Sequence, residues 1–275
     1  MIRPPLACTV RDCGQPLARG EHVFVCARGH SYDVARSGYV NLLQPQDRRS
    51  PVAGDTKAAV HARARLLAAG IGHTILADFV QCAASLPLPD SSVVVDLGAG
   101  SGDALASLAE SRAIAGIGID ISRAATDRAA RRFPEHMWVV ANADRRLPLL
   151  DRSVDLMLSL HARRNPAECA RVLKSTGFLL VAVPARDDLI ELRASVQGQR
   201  IERDRADVLQ AEHDGLFAVV QRSCARERRR VGRDELLDLL QGTYRGERAR
   251  EAARVQALAD LEVTLASDFL VFAPR

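Results

Sequence analysis

Lysine is nearly missing from this chain: Lys57 and Lys174 are the only two, so almost all of its positive charge is arginine. A GC-rich coding bias is the plainer source of that imbalance, and recognition of phosphate by guanidinium groups is the functional one. The formal net charge is only +4, which by itself is weak support for an anionic partner. No apolar run reaches the roughly 18–20 residues needed to span a bilayer, so no membrane-spanning helix is expected. The N-terminal MIRPPLACTV lacks the apolar stretch of a secretory signal, and we read the protein as cytoplasmic. Six cysteines in 275 residues do not make a disulfide scaffold. Internal repeats and low-complexity segments are absent as well. What is present is an ordinary globular composition, 47% hydrophobic and 26% charged. The length allows one main domain plus a small accessory one.

The cysteines are unevenly placed. Cys8, Cys13 and Cys26 fall within the first 30 residues, whereas Cys82, Cys169 and Cys224 are scattered and read as small, inert, buried side chains. Residues 1–43, with several glycines and short alternating segments such as His22-Val23-Phe24-Val25, suit a small module of turns and hairpins. Residues 44–56 (QPQDRRSPVAGDT) read as a linker, which leaves 57–275 as the main domain. Helical spacing of apolar residues runs from Asp55 to Leu86, with a break expected near Gly70–Gly72. Strand and helix patterns then alternate. Strands are expected at Val93–Leu97, Ile114–Ile119, Met137–Ala141, Val154–Leu160 and Phe178–Val183, with helices Ala104–Ser111, Ser122–Phe133 and Pro166–Leu173 between them. A helical stretch near Asp188–Arg203, strand Phe217–Arg222, helix Asp234–Gln241 and a strand near Val263–Phe272 follow. Strands this uniformly apolar belong in a parallel sheet covered on both faces. The count predicts an α/β fold: a seven-stranded doubly wound sheet whose last strands form a hairpin-like pair.

The loop after the first of these strands, Asp96-Leu-Gly98-Ala-Gly100-Ser-Gly102, opens a helix. Its glycines allow a tight turn and close approach of backbone to a ligand. A glycine pattern alone is weak, but here an acid precedes it, and Asp120 ends the next strand, where a carboxylate can accept hydrogen bonds from both ribose hydroxyls. The plainer reading of Asp120 and Asp144 is that each ends a strand or caps a helix. Loop, strand order and Asp120 together resemble the class I (Rossmann-like) methyltransferases, whose cofactor is S-adenosyl-L-methionine. The resemblance implies that Asp96 helps place the methionine portion, that Gly98, Gly100 and Gly102 cradle the cofactor, and that Asn142-Ala143-Asp144 lies beside the adenine.

In the N-terminal module, Cys8-x4-Cys13-x12-Cys26-x3-His30 offers three thiolates and an imidazole in two close pairs, the donor set of a closed, structural tetrahedral Zn2+ site. Coincidental cysteines are the alternative. A module of about 40 residues has little core, so metal binding would also supply folding energy. The following segment, His30-Ser-Tyr-Asp-Val-Ala-Arg-Ser-Gly-Tyr-Val-Asn-Leu-Leu43, closely resembles a motif of the RlmA family of ribosomal RNA guanine-N1 methyltransferases. Gly54-Asp55, Arg164-Asn165-Pro166, Ala170-Arg171-Val172-Leu173 and Pro184 with Leu189-Ile190-Glu191-Leu192 extend the likeness over most of the chain. The family implies a zinc-binding (zinc-ribbon-like) N-terminal domain, a homodimer and a guanine of 23S ribosomal RNA as acceptor; one branch is linked to macrolide-class resistance. The chain departs from it in three places. The usual C-x2-C pair is replaced, with Val10 at the expected first position and Cys8 two residues earlier. His161-Ala162-Arg163 stands where an apolar or aromatic residue, alanine and proline are common. Ser175-Thr176-Gly177 replaces P-G-G.

If the acceptor is guanine N1, its proton must leave, and the Watson–Crick edge must be unpaired or flipped out. His161 is the ionisable group of suitable pKa class at the end of Val154–Leu160 and is the candidate contact with the acceptor; a histidine with only a packing role is the plainer reading. Arg48 and Arg49, Arg163 and Arg164, and the run Arg226–Arg230 are candidate phosphate contacts, each equally readable as a solvated charged face. Tyr32 and Tyr39 could stack on a base but are more often core in so short a module. Two other functions stay open: a small-molecule methyltransferase that keeps the zinc module, and a non-catalytic RNA-binding or resistance-associated relative.

Overall fold

The computed structural model describes residues 4–44, 55–197, 204–243 and 253–275. Five parallel strands form the centre: β5 (Ser92–Leu97), β6 (Ile114–Asp120), β7 (Met137–Val140), β8 (Val154–Leu160) and β9 (Leu173–Pro184). Two long antiparallel strands, β10 (Phe217–Gly232) and β11 (Asp260–Pro274), complete the seven that the periodicity predicts. An eighth was not foreseen. β4 (Val40–Asn41), from the N-terminal module, pairs in parallel with β7, so the sheet order is β10-β11-β9-β8-β5-β6-β7-β4. The module's remaining strands, β1 (Leu17–Arg19), β2 (Val23–Cys26) and β3 (Ser31–Asp33), form a separate antiparallel sheet.

Both faces of the sheet's centre are buried, which is why β5, β7 and β8 show almost continuous burial, whereas the edge strand β10 is largely exposed. Along β5, Val94 faces one apolar cluster and Val93, Val95 and Leu97 face the other. Helices α2 (His73–Ala84), α3 (Asp103–Ser111), α4 (Arg123–Arg132), α6 (Ile190–Gln197) and α8 (Arg233–Thr243) contribute to the first. The second is covered by α5 (Pro166–Val172) and α7 (Ala206–His213) and by the N-terminal module, whose Leu6, Leu17, Phe24 and Leu42 are almost fully buried within it. Burying each such side chain stabilises by roughly 1.5–3 kcal/mol. The module's missing core is thus supplied by the sheet it leans on. Backbone bonds Ala7 N to Pro148 O (2.9 Å) and Leu42 N to Val140 O (3.0 Å) fix the docking.

The expected break at Gly70–Gly72 is real: α1 (Lys57–Ala68) and α2 meet at 88°, with both glycines at positive φ. No single helix among the described residues is long and apolar enough to cross a membrane. Helix α7 went unanticipated, and β10 runs ten residues beyond the six expected for it, to Gly232.

Candidate active site and metal centre

The carboxyl ends of the parallel strands gather the candidate residues, as open α/β sheets do with their ligands. After β5, Gly98, Gly100 and Gly102 all have positive φ (68°, 56° and 85°). Two of them are also sterically required. A Cβ on Gly98 would lie 2.3 Å from Cβ of Ala162, and one on Gly102 would lie 2.4 Å from Cη2 of Trp138. The loop is fastened to the end of β6 by Gly98 N and Ala99 N, which donate to Ile119 O at 2.8 and 3.1 Å. The Asp120 carboxylate accepts from Gly100 N at 2.9 Å and from Ser122 N at 2.7 Å, one bond to each oxygen. A carboxylate oxygen has capacity for a second bond, so both stay able to take a hydroxyl. Ala141 N donates to Asp120 O at 3.1 Å, which brings the next turn alongside. In that turn Asn142 Oδ1 accepts from Asp144 N at 3.0 Å, Ala143 is half-buried, and Asp144 is open to solvent.

The site is electrostatically acidic before any cation enters it. Burial, with the neighbouring charges of Asp120 and Asp103, pushes the Asp96 carboxyl up to about 8. Burial also raises Asp120, opposed by its two backbone bonds and by Arg63, and assisted by Asp55. Such a pair favours a ligand that brings positive charge. Arg63 and Asp55 pair with each other, and the Asp55 carbonyl accepts from Ser122 Oγ at 2.9 Å. The last residues of the linker, described from Asp55 on, therefore lie against the turn that follows β6.

Beyond β8, His161 adopts a left-handed conformation (φ 55°) held by its N–H to Ala182 O (3.0 Å), and its Nε2 bonds Ser267 Oγ of β11 at 2.8 Å. Its ring reaches solvent although protein crowds it; that crowding, then Arg205 and Arg63, pushes its pKa down to about 4. It is neutral at physiological pH. Arg163 is exposed and pairs with Asp144 at 3.4 Å, bridging the two candidate sites. Arg164 is placed differently from the expectation of a surface phosphate contact. Its guanidinium turns inward to His213 Nε2 (3.3 Å), Ser159 Oγ (3.4 Å) and Ala162 O (3.0 Å), bracing the loop that presses on Gly98. Arg48 and Arg49 lie outside the described residues. The arginines of the 226–230 run sit on β10 and are each paired: Arg226 with Asp187, Arg228 with Glu262, Arg229 with Glu227 and the carbonyls of Ala69 and Gly70, and Arg230 with Asp260. That run is a neutralised strand face rather than a bare cationic patch.

In the N-terminal module, Cys8, Cys13, Cys26 and His30 converge, their ligand atoms all within 4.8 Å of one another. Cys13 Sγ and Cys26 Sγ are 3.8 Å apart, and His30 Nδ1 is 3.4 Å from both Cys8 Sγ and Cys26 Sγ. Thiolates 2.3 Å from a common tetrahedral ion would be separated by about 3.8 Å, so the donor set fits zinc. The wide Cys8–Cys13 spacing is absorbed by a turn in which Cys13 N bonds Val10 O (3.0 Å) and Gly14 N bonds Cys8 O (3.2 Å), with Asp12 and Gly14 left-handed. Burial would raise the Cys26 thiol, but N–H groups of His30 and Arg28 and the neighbouring thiols bring it down to about 7, toward the metal-binding thiolate. Tyr32, one of the two tyrosines suggested for stacking, bonds Cys8 Sγ through its hydroxyl at 3.1 Å and supports the ligand set; Tyr39 is core.

Ser267, Trp138, Arg63 and Asp188 were not identified from the sequence. None carries a local motif, and each reaches the site only through tertiary structure: Ser267 and Trp138 by sheet pairing, Asp188 by a loop return and Arg63 from helix α1.

Comparison with known proteins follows the same division. A family model described as RlmA, N-terminal matches residues 7–51, and one described as Methyltransferase domain matches residues 94–177. The chain is 34% identical over 270 residues to the 23S rRNA (guanine(748)-N(1))-methyltransferase of Streptomyces fradiae, covering 95% of each. It is also 34% identical over 280 residues to a Micromonospora griseorubida protein provisionally described as a 23S rRNA (guanine-N(1)-)-methyltransferase, covering 94% of this chain and 93% of the relative. Among solved structures, the YcgJ protein from Bacillus subtilis superposes with a TM-score of 0.50 at 16% identity, covering 74% of this chain and 97% of that one, a likeness of fold.

Proposed function

This chain belongs to the RlmA-type family of 23S rRNA (guanine-N1) methyltransferases, and from that membership we propose that it methylates N1 of a guanine in 23S ribosomal RNA. It is an S-adenosylmethionine-dependent enzyme. The observation that carries the acceptor is that the 34% identity runs through both the N-terminal module and the catalytic sheet.

The bound cofactor supplies a methyl group on a sulfonium, electrophilic enough that alignment is the enzyme's main task. In this reading the backbone of Gly98–Gly102 cradles it and Asp120 accepts its ribose hydroxyls. Asp144, with Asn142 and Ala143, flanks the adenine, and Asp96 faces the methionine end. His161, neutral and anchored by Ser267, contacts the acceptor base. Arg163, with Arg48 and Arg49, meets backbone phosphate. Cys8, Cys13, Cys26 and His30 would hold zinc, which locks the module against the second core cluster; one zinc per chain is expected by elemental analysis. A homodimer working in the cytoplasm completes the reading, on the family's pattern.

The test is incubation of the protein with methyl-labelled cofactor and either 23S rRNA or a small-molecule extract. Label in the RNA, with a reverse-transcription stop at a single guanine, is expected because an N1-methyl blocks pairing. Label confined to small molecules would favour the alternative acceptor class, for which the departure at His161–Arg163 is the motive.

A further inference from the structure

Methyl transfer to guanine N1 leaves a proton to be removed, and we propose that Asp188 is the group that takes it. This rests on the guanine-N1 reading above. The Pro184–Leu189 loop follows β9, the strand beside β8, so Asp188 lies at the same carboxyl edge as His161 and one strand further from the cofactor loop. Consecutive residues of β11 fix the two groups: Ala266 N donates to Asp188 Oδ1 at 3.0 Å, and Ser267 Oγ bonds His161 Nε2 at 2.8 Å. Among the described residues Asp188 Oδ2 has no such bond, leaving one carboxylate oxygen for a substrate N–H. The loop is tied to β11: Ala185 N bonds Ala266 O (2.9 Å), Leu189 N bonds Thr264 O (2.6 Å), and Glu191 takes both the N–H and hydroxyl of Thr264 (2.9 and 2.8 Å). Leu189 is left-handed (φ 50°), as is His161. Two non-glycine residues in this conformation, at the ends of adjacent strands, are the strain that functional sites retain.

The step balances without a further reactant. The N1–H bond breaks as the N1 electron pair bonds the methyl carbon. The carbon–sulfur pair stays on sulfur, and the proton passes to the carboxylate. The positive sulfonium and negative Asp188 give a neutral thioether, a neutral N1-methylguanine and a neutral carboxyl, which then loses its proton to water. The positive charge of Arg205 is felt by both His161 and Asp188, so the two groups share one electrostatic environment. The protonation states agree with the geometry. Burial lifts Asp188 to about 6, against the Ala266 N–H and the charges of Arg193 and Arg205, while Asp187 adds to the rise. A base just below the working pH is ionised yet still strong, whereas His161 is pushed down to about 4.

The experiment compares wild type with D188N, D188E and H161A on 23S rRNA, measuring cofactor affinity and the pH dependence of the single-turnover rate. D188N keeps an oxygen for Ala266 N, so its fold and cofactor affinity should survive while its rate falls on the order of 100-fold or more. The wild-type rate should climb tenfold per pH unit below about 6, a limb that D188N loses and D188E regains in part. A D188N rate within threefold of wild type with the limb intact overturns the proposal, as does loss of cofactor binding in D188N, which would make the residue structural. Failure of the wild type to label RNA at all overturns the acceptor reading, and the role of Asp188 with it. Label at guanine N1 undiminished in D188N overturns only the latter.

Discussion

The two halves of the carboxyl edge are built by different means. The cofactor half is organised by one contiguous loop of seven residues, 96–102, which folds back on the end of β6 beside Asp120, and backbone groups make most of the loop's contacts. The proposed acceptor half is assembled from a distance: His161, Asp188, Arg205 and Ser267 come from four segments, with the His161 ring bonded to Ser267 Oγ and the Asp188 carboxylate to Ala266 N. Backbone-built sites demand glycine and leave a pattern in the chain. Side-chain-built sites demand only that the sheet register be right, and so leave none.

The largest expected effect tests that separation on the cofactor half. A valine at Gly98 would meet Ala162 at a distance no Cβ tolerates, on a backbone that disfavours any side chain. Gly98→Val is expected to weaken cofactor binding by about 100-fold or more in calorimetry, roughly 2.7 kcal/mol or above, with loss of turnover. Binding within threefold of wild type would mean the loop does not carry the cofactor. On the acceptor half, His161→Ala removes the bond to Ser267 but nothing from the loop. Its cofactor affinity should stay within about twofold, while kcat/KM on RNA falls about 10- to 100-fold, the range for a positioned contact. An equal loss of cofactor affinity would erase the distinction between the halves.

What was legible in the sequence follows the same line. The glycine loop, the strand order and the break between α1 and α2 all depend on local backbone demands, and these have sequence signatures. The zinc ligands and their closed donor set were found by spacing, but not the turn at Val10–Gly14 that absorbs the wide Cys8–Cys13 interval, which depends on left-handed Asp12 and Gly14. The eighth strand was hidden because Val40-Asn41 is two residues long and exists as a strand only through its partner β7. Arg164 read as a surface cation for the same reason: nothing local says that His213, 49 residues on, will receive it. That histidine is itself fixed by Leu209 O at 2.8 Å and stacks on Phe272, so the bracing of the Gly98 loop runs back to the far end of the chain. The halves are built differently but share one brace.

The smallest expected effect concerns how charge is settled between them. Asp96 is 2% exposed, with Asp120 and Asp103 near enough to raise its pKa further, to about 8. Its carboxyl is therefore mostly protonated at pH 7 while the site holds no cation. Its folded-state value lies above the ordinary aspartate value of 3.8, so whatever favours the protonated form is fully present at low pH and is lost as the pH climbs through about 8. The cofactor brings a sulfonium and an ammonium, which favour the ionised carboxylate and drive the proton off. Binding at pH 7 should then release up to about 0.9 proton from this group, seen as a heat that differs between buffers of unlike ionisation enthalpy. Affinity should strengthen as the pH rises toward 8 and level off above it. Asp96→Asn should abolish the buffer dependence and weaken binding by about tenfold, the worth of one partly buried charge contact. Equal heats in all buffers for the wild type would place Asp96 outside the cofactor's field, and would leave the glycine backbone and Asp120 to hold the cofactor half alone.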